Sequence, residues 1–193
     1  LDRIRADRPD LVFNLCESLS STGRNEIVVP ALLDLMGVCY SGSGAMTLGL
    51  CVQKHRTKQI LRSAGIPSPL GLALPARPRA RAVELEELRP LGYPLFLKLV
   101  HEDASVGISQ SSLVHNDEEL LRQLDYLRTR YQQPVLVEQY VHGREIYVAM
   151  LGNQPRIFLP LWEIDFSTLP AGLPPIVTYE GKWNESSPEF VGT

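Results

Sequence analysis

Between Pro94 and Ser109 the chain reads PLFLKLVHEDASVGIS, a stretch that few folds accommodate. Pro94-Leu95-Phe96-Leu97 is an apolar run bounded by turn residues, the pattern of a buried strand. Lys98 interrupts the run just before it ends. An unpaired buried charge is very costly, so this ammonium must reach water or hold an anion. The loop that follows, His101 to Gly107, is small and polar, and such a loop can turn backbone N–H groups and a hydroxyl toward a phosphate. Strand, lysine and flexible cover together describe a seat for a nucleotide triphosphate. A lysine at a strand end beside a Gly/Ser loop is also common without any ligand, so the rest of the chain has to decide.

With 193 residues, 44% of them hydrophobic, the chain can bury a real core as one domain or two small ones. The net charge of -3 argues against a nucleic-acid binder. Arg77, Arg79 and Arg81 form the one basic cluster, in a Pro/Ala-rich segment that reads as a solvated loop. No apolar run is long enough to span a membrane and no signal peptide is visible, so a cytoplasmic location is expected. Cys16, Cys39 and Cys51 are odd in number and lack metal-ligand spacing, and read as reduced, mostly buried thiols. The chain starts on Leu1 and stops at Thr193 after a polar loop; both ends read as cut.

In chain order, Asp10 to Leu15 reads as a short strand, followed by a polar loop from Glu17 to Asn25. A helix is predicted from near Glu26 to a stop at Gly37, with Val38-Cys39-Tyr40 as a second strand. Ser41-Gly42-Ser43-Gly44 lacks the third glycine of a dinucleotide fingerprint, and reads as a tight turn that opens the next helix. Ala45 to Ala64 is helical in two pieces, with Ile60 and Leu61 toward a core. Lys54 and Lys58 lie one turn apart on the same side, which by itself reads as a solvated face. Leu70 to Leu74 is a strand and Val83 to Leu88 a short helix. Leu113-Val114 is the return strand of the Pro94 run. Asn116 caps a helix with Glu119 at the reciprocal position, and Leu120, Leu124, Leu127 and Tyr131 line one face of it. Val135 to Val141 is another strand. Arg144 to Leu151 and Arg156 to Ile164 pair as a hairpin about Gly152-Asn153.

Three isolated charges thus stand at strand ends: Lys98, Glu138 and Glu145. The backbone of Gln139-Tyr140-Val141 can offer a donor and an acceptor to an adenine edge, and Glu145 can accept from adjacent ribose hydroxyls. Each acid can equally be an edge-strand charge that discourages aggregation. The ordered set Gln53-Lys54, Leu97-Lys98, Glu102, Ser105-Val106-Gly107, Leu136-Val137-Glu138, Gly143-Arg144-Glu145 and Tyr179-Glu180-Gly181-Lys182-Trp183 resembles the ATP-grasp superfamily, in its D-alanine:D-alanine ligase branch. Phe13-Asn14-Leu15, Val29 to Leu33 and Tyr40 to Gly44 are similar to the segment that precedes the nucleotide site in those ligases.

The resemblance implies an α/β (α+β) chain: a partial ATP-grasp fold preceded by a fragment of a Rossmann-like parallel α/β layer. It implies a partial N-terminal domain at 1–50, a central subdomain at 51–142 and the start of a C-terminal subdomain at 143–193. Lys54 and Lys98 would hold the ATP phosphates. Glu138 would meet the adenine amino group, the backbone of Gln139, Tyr140 and Val141 the ring edge, and Glu145 the ribose. The loop of Glu102, Ser105, Val106 and Gly107 would close over the phosphates, with Ser105 and Lys182 reaching the terminal one as catalytic groups. The implied reaction joins a carboxylic acid and an amine through an acyl phosphate, using ATP and Mg²⁺. Its partners would be small molecules, amino acids among them, and its assembly a homodimer. An ATP-binding module without ligase activity, and a non-binding remnant of the fold, are the rival readings.

Departures from the family pattern accompany the match. Asp103 replaces a glycine of the phosphate loop and Ala104 a serine that helps fix the first substrate. Trp183 stands at the partnering tyrosine, and Cys16 at a histidine. These departures leave open whether D-alanine is the substrate, and the resemblance implies the broader class of carboxylate–amine ligases. No metal ligands are expected within the chain: the acidic-x-Asn pattern beside an Arg-x-Asp would lie beyond Thr193, and Glu185 and Glu189 read as tail charges.

Overall fold

The computed structural model describes residues 2–19 and 23–192, so residues 20–22 of the expected Glu17–Asn25 loop and both terminal residues lie outside the description. Elements are numbered in chain order. The centre is an antiparallel sheet in the order β1-β4-β2-β3, made of β1 (Gly71–Leu74), β2 (Leu95–Leu99), β3 (Leu113–Val114) and β4 (Val135–Gln139). Alternation along β2 decides its two faces. Leu95, Leu97 and Leu99 are buried, while Phe96 and Lys98 turn to the opposite side and are only half-buried.

Two helices cover the buried face: α5 (Arg81–Leu88) and α6 (Asp117–Tyr131). Leu88 of α5 joins Leu120, Leu124 and Leu127 of α6 in one core with Leu74, Leu95, Leu97, Leu99, Val135 and Val137, and Tyr131 packs against its edge. Leu97 and Leu127 are fully buried, and truncating either to alanine would cost on the order of 2–5 kcal/mol. The start of α6 follows from its sequence: Asn116 Oδ1 accepts from the Glu119 N–H at 3.0 Å, and the Glu119 carboxylate reaches back to the His115 N–H at 2.8 Å. Gln132 takes the left-handed conformation that stops the helix.

Ahead of the sheet lie α1 (Asp2–Asp7), α2 (Val28–Met36), α3 (Ala45–Cys51) and α4 (Lys54–Ser63). Gly37, at φ 68°, ends α2 as the sequence implies, and the Ser41–Gly44 turn leads to Gly44 as the N-cap of α3. The expected strands at Asp10–Leu15 and Val38–Tyr40 shrink to one parallel bridge between Val12 and Tyr40. Leu11, Phe13 and Leu15 stay exposed, so no buried face extends the pairing. The parallel direction still matches a fragment of a parallel α/β layer. Ile60 is exposed rather than core-facing. Cys39 and Cys51 are exposed and Cys16 half-buried, which corrects the reading of these thiols as mostly buried.

After β4 the expected hairpin forms in broken pieces, because the Arg144–Leu151 segment is interrupted rather than one strand. β5 (Ile146–Tyr147) pairs with β8 (Trp162–Glu163), and β6 (Met150–Leu151) with β7 (Ile157–Phe158). The chain then runs through α7 (Tyr179–Trp183) to α8 (Pro188–Val191). Among the described residues no helix is long and apolar enough to cross a membrane.

Candidate functional site

The open face of the sheet carries the first charged groups. Phe96 pairs with Glu138 and Lys98 with Leu136 across β2 and β4, which sets Lys98 and Glu138 on a diagonal of one face. Lys98 Nζ lies 2.7 Å from Glu138 Oε1. The second carboxylate oxygen, Oε2, accepts from the Lys58 ammonium of α4, which also donates to the Pro69 carbonyl at 3.3 Å. Two of the three charges expected to be isolated at strand ends, Lys98 and Glu138, are therefore joined with Lys58 in a triad, with Glu138 only 7% exposed at its side chain. Lys58 is the member that the sequence reading passed over. Its one signal was its position a turn after Lys54.

Lys54, at the start of α4, donates to the main-chain carbonyl of Glu102. Burial lowers its pKa to about 8, and the like charge of Lys98 adds to this, against opposing pulls from Asp103, Glu102 and Glu138. The solvated helix face read from sequence is thus overturned: α4 turns Lys58 to Glu138 of the sheet and Lys54 to the Glu102 carbonyl of the loop. Burial also lowers the pKa of Lys58, against the pull of Glu138.

Over the lysines runs the loop that sequence picked out. Ala104 and Ser105 hold φ values of 47° and 61°, rare for residues with a Cβ, and Gly107 lies at 78°. A Cβ on Gly107 would come within 2.9 Å of Leu99 Cδ1, so this glycine is required by a close approach as well. The loop is tied to the Pro175–Trp183 segment at several points. Ser105 Oγ donates to the Val177 carbonyl at 3.0 Å, the Tyr179 N–H to Ile108 O at 3.0 Å, and the Trp183 indole N–H to Ala104 O at 2.9 Å. Thr178 caps α7 and donates to Glu189, which also accepts from Gln110 Nε2 at 2.8 Å. Glu189 is therefore a bracing group and not the tail charge expected.

These pieces enclose an open cleft of about 440 Å³. Lys98 and Glu138 line its floor, Gln139, Tyr140, Val141 and Glu145 one wall, and Ser105 and Lys182 the cover. Phe96, Ile108 and the Pro175–Val177 segment supply apolar surface that the sequence reading did not assign. Phe96 and Tyr140 lie 6.3 Å apart between ring centroids, tilted by 35°. Burial raises the Tyr140 pKa and Glu145 adds to it; Glu145 also accepts from Tyr147 Oη at 3.1 Å. Lys182 sits on α7, its Nζ 5.5 Å from the Trp183 ring centroid.

The remaining expected contacts stand back from the cleft. Lys54 meets it only through the loop carbonyl, and the Glu102 carboxylate is held by Gln133 Nε2 at 2.8 Å. The Val106 side chain packs on the core, and Gly107 against Leu99. These residues shape the loop rather than line the cavity. Outside the site, the arginines read as a solvated cluster are engaged: Arg79 with Glu87 and Arg81 with Asp125.

An apolar slot beside clustered ammonium groups suits a purine with a polyphosphate. The fit is electrostatic: burial and the like charge of Lys98 weaken the hold of Lys54 on its proton, and an anion would oppose both. No such fit exists for Mg²⁺, since among the described residues no group of three or more His, Cys, Asp or Glu side chains is arranged to hold a metal ion.

Comparison with known proteins identifies the family and fold. The family model described as D-ala D-ala ligase C-terminus matches residues 60–191. Protein y4sG of Sinorhizobium fredii is 36% identical over 173 residues, covering 90% of this chain and 47% of that protein. The D-alanine--D-alanine ligase of Pseudomonas entomophila is 33% identical over 154 residues, covering 80% and 45%. Among solved structures, the D-alanine--D-alanine ligase of Bacillus anthracis complexed with ATP superposes with a TM-score of 0.63 at 26% identity, covering 82% of this chain and 49% of that one. The VanG D-Ala:D-Ser ligase of Enterococcus faecalis gives 0.66 at 26% identity, covering 80% and 43%. The chain spans about half the length of the relatives it matches.

Proposed function

Because the chain belongs to the family of D-ala D-ala ligase C-terminal domains, which is an ATP-grasp fold, we propose that it forms the nucleotide cradle of an ATP-dependent carboxylate–amine ligase. The observation that carries this reading is the cleft floored by Lys98 and Glu138, with Lys54, from a helix distant in sequence, held behind it on the Glu102 carbonyl and within electrostatic reach of both. The division into 1–50, 51–142 and 143–193 belongs to the same proposal, with the cleft between the second and third parts.

In this reading ATP supplies the phosphoryl group that activates a carboxylate for attack by an amine. Lys54 and Lys98 hold the phosphates and offset negative charge as it redistributes, the largest lever available in such chemistry. Glu138, paired with Lys58 and Lys98, accepts from the adenine amino group, and Glu145 from the ribose. The backbone of Gln139 to Val141 reads the ring edge. Ser105 and Lys182 close the terminal-phosphate end, where the bonds between the Ala104–Ile108 loop and the Val177–Trp183 segment exclude water. The described residues contain no Mg²⁺ site, so no step here is routed through the metal.

Substrate choice departs from D-alanine in this proposal, because Ala104 and Trp183 meet through a main-chain carbonyl rather than through two hydroxyl groups. The deciding experiment is ADP release measured against panels of acids and amines. Release that requires both substrates supports the ligase. ATP binding without any dependent release supports a nucleotide-binding module instead.

A further inference from the structure

Glu138 holds two ammonium groups, and a ligand can reach only one of them. Lys98, on β2, lines the cleft together with Glu138 and keeps 22% of its side chain exposed. Lys58, on α4, is not among the residues that line it, and its side chain is 13% exposed. Its ammonium is shared between Glu138 Oε2 and the Pro69 carbonyl, the latter at 3.3 Å. A phosphate in the cleft therefore competes for Lys98 and not for Lys58.

The approach of β1 fixes the contact with Lys58. Gly71 stands opposite Glu138 in the register of β1 and β4, and a Cβ there would come within 2.7 Å of both Glu138 Cβ and Val137 O. A side chain at position 71 would hold the two strands apart. The chain just ahead of Gly71 is tied to β4 as well, since Leu70 O accepts from the Gln139 N–H at 2.9 Å. Lys58 thus spans from the carboxylate to main chain anchored beside it, and Glu138 Oε2 has little freedom to turn.

A nucleotide changes the charge balance at the other oxygen. In the free protein one carboxylate faces two ammonium groups. A phosphate that draws Lys98 away removes the partner of Oε1. A buried carboxylate left with no counter-ion is strongly destabilising, and that penalty would oppose the phosphate. With Lys58 in place the carboxylate keeps a counter-ion, and Oε1 is released as an acceptor in the cleft. The exocyclic amino group of a purine donates to such an oxygen, whereas a carbonyl in the same place offers it no proton and repels it.

We propose that Lys58 is a positioning residue that sets base specificity. It stays on Glu138 as the resident counter-ion when a phosphate takes Lys98, so that the freed oxygen selects a 6-aminopurine over a 6-oxopurine. This rests on the nucleotide reading of the cleft and deepens it.

The test is calorimetric titration of Mg-ATP and Mg-ITP, which differ at position 6 of the purine. The proteins are the unaltered chain, Lys58→Met, Glu138→Gln and the double variant. Methionine keeps the apolar stem without the charge, and in the free variant Lys98 still serves the buried carboxylate. The unaltered chain should favour ATP over ITP about tenfold or more. Lys58→Met should weaken ATP about tenfold and bring the two nucleotides to within about threefold of each other. Because Lys58 acts through Glu138, adding Lys58→Met to Glu138→Gln should change the ratio no further. Nitrogen-15 NMR of the lysine ammonium groups needs no variant: ATP should shift the Lys98 signal, while the Lys58 protons stay protected from exchange with water. Equal affinity of the unaltered chain for both nucleotides, or Lys58 protons that become labile when ATP binds, would overturn the proposal. So would an ATP-to-ITP ratio unchanged in Lys58→Met, including equal losses for both, which is what a purely structural role would give. Binding of ATP with any of these results removes this inference alone. Failure of the unaltered chain to bind either nucleotide removes the nucleotide reading, and this inference with it.

Discussion

The ammonium of Lys54 ends on the main-chain carbonyl of Glu102, so a cation of α4 is fastened to the loop that covers the cleft. That arrangement gives the loop a partner which a phosphate can displace. It also leaves Lys54 buried close to a second ammonium, Lys98, with its pKa lowered to about 8.

The sign of the resulting pH effect follows from that shift. The unfolded lysine holds its proton up to its ordinary value of 10.5, whereas the folded one loses it near 8. Lys54 therefore costs stability below pH 8, and the cost disappears as pH rises from the folded toward the unfolded value. A bound polyphosphate restores the charge, so ATP binding at pH 8 to 9 should take up a fraction of a proton. Calorimetry in buffers of different ionisation enthalpy measures it. Lys54→Met should raise Tm at pH 7 and abolish the uptake. Uptake that survives the substitution would assign it to another group.

Glu84 and Arg128 make a second, unrelated prediction. Their two-pronged contact, with N–O distances of 2.8 and 2.9 Å, ties α5 to α6 beneath the core, and Arg128 also donates to Pro75 O. Burial pushes the Glu84 carboxyl up, but the bonds from Arg128 and the Arg79 N–H outweigh it and hold the pKa below its ordinary value. The pair's contribution is therefore present above that ordinary value and lost as pH falls through the lowered one. Arg128→Met should cost about 3–5 kcal/mol in urea unfolding. The double variant with Glu84→Met should recover much of it. ATP affinity of the folded fraction should not change.

The cover of the cleft yields a third. Trp183→Phe keeps a ring but removes the donor to Ala104 O, one of several ties between the loop and α7. A single such bond contributes on the order of 1 kcal/mol. Amide exchange at Tyr179, whose N–H bonds to Ile108 O, should accelerate several-fold while β2 and β4 remain protected. Unchanged exchange would mean that the indole bond does not hold the cover.

How much of this was visible in the residue order depends on how local each cause is. β2 and α6 were legible because alternation and 3.6-residue spacing act over a few residues, as did the Asn116–Glu119 cap. The strands expected at Asp10–Leu15 and Val38–Tyr40 were not, since among the described residues they share a single bridge and Leu11, Phe13 and Leu15 stay exposed. Lys98, Glu138 and Glu145, singled out because a charge stands at a strand end, line the cleft. Lys58 was missed because its meaning lies in Glu138, 80 positions away. Val106 and Gly107 were placed at the nucleotide by motif, whereas the close approach to Leu99 and the core governs them.

The account depends most on Lys98, whose Nζ lies 2.7 Å from Glu138 and lines the cleft floor. Isothermal titration of Mg-ATP into the chain and into Lys98→Ala tests it directly. Micromolar binding by the unaltered chain is predicted, with a loss of about 2 kcal/mol, roughly thirtyfold, in the variant. Equal affinity in both proteins, or no binding by the unaltered chain, would contradict it.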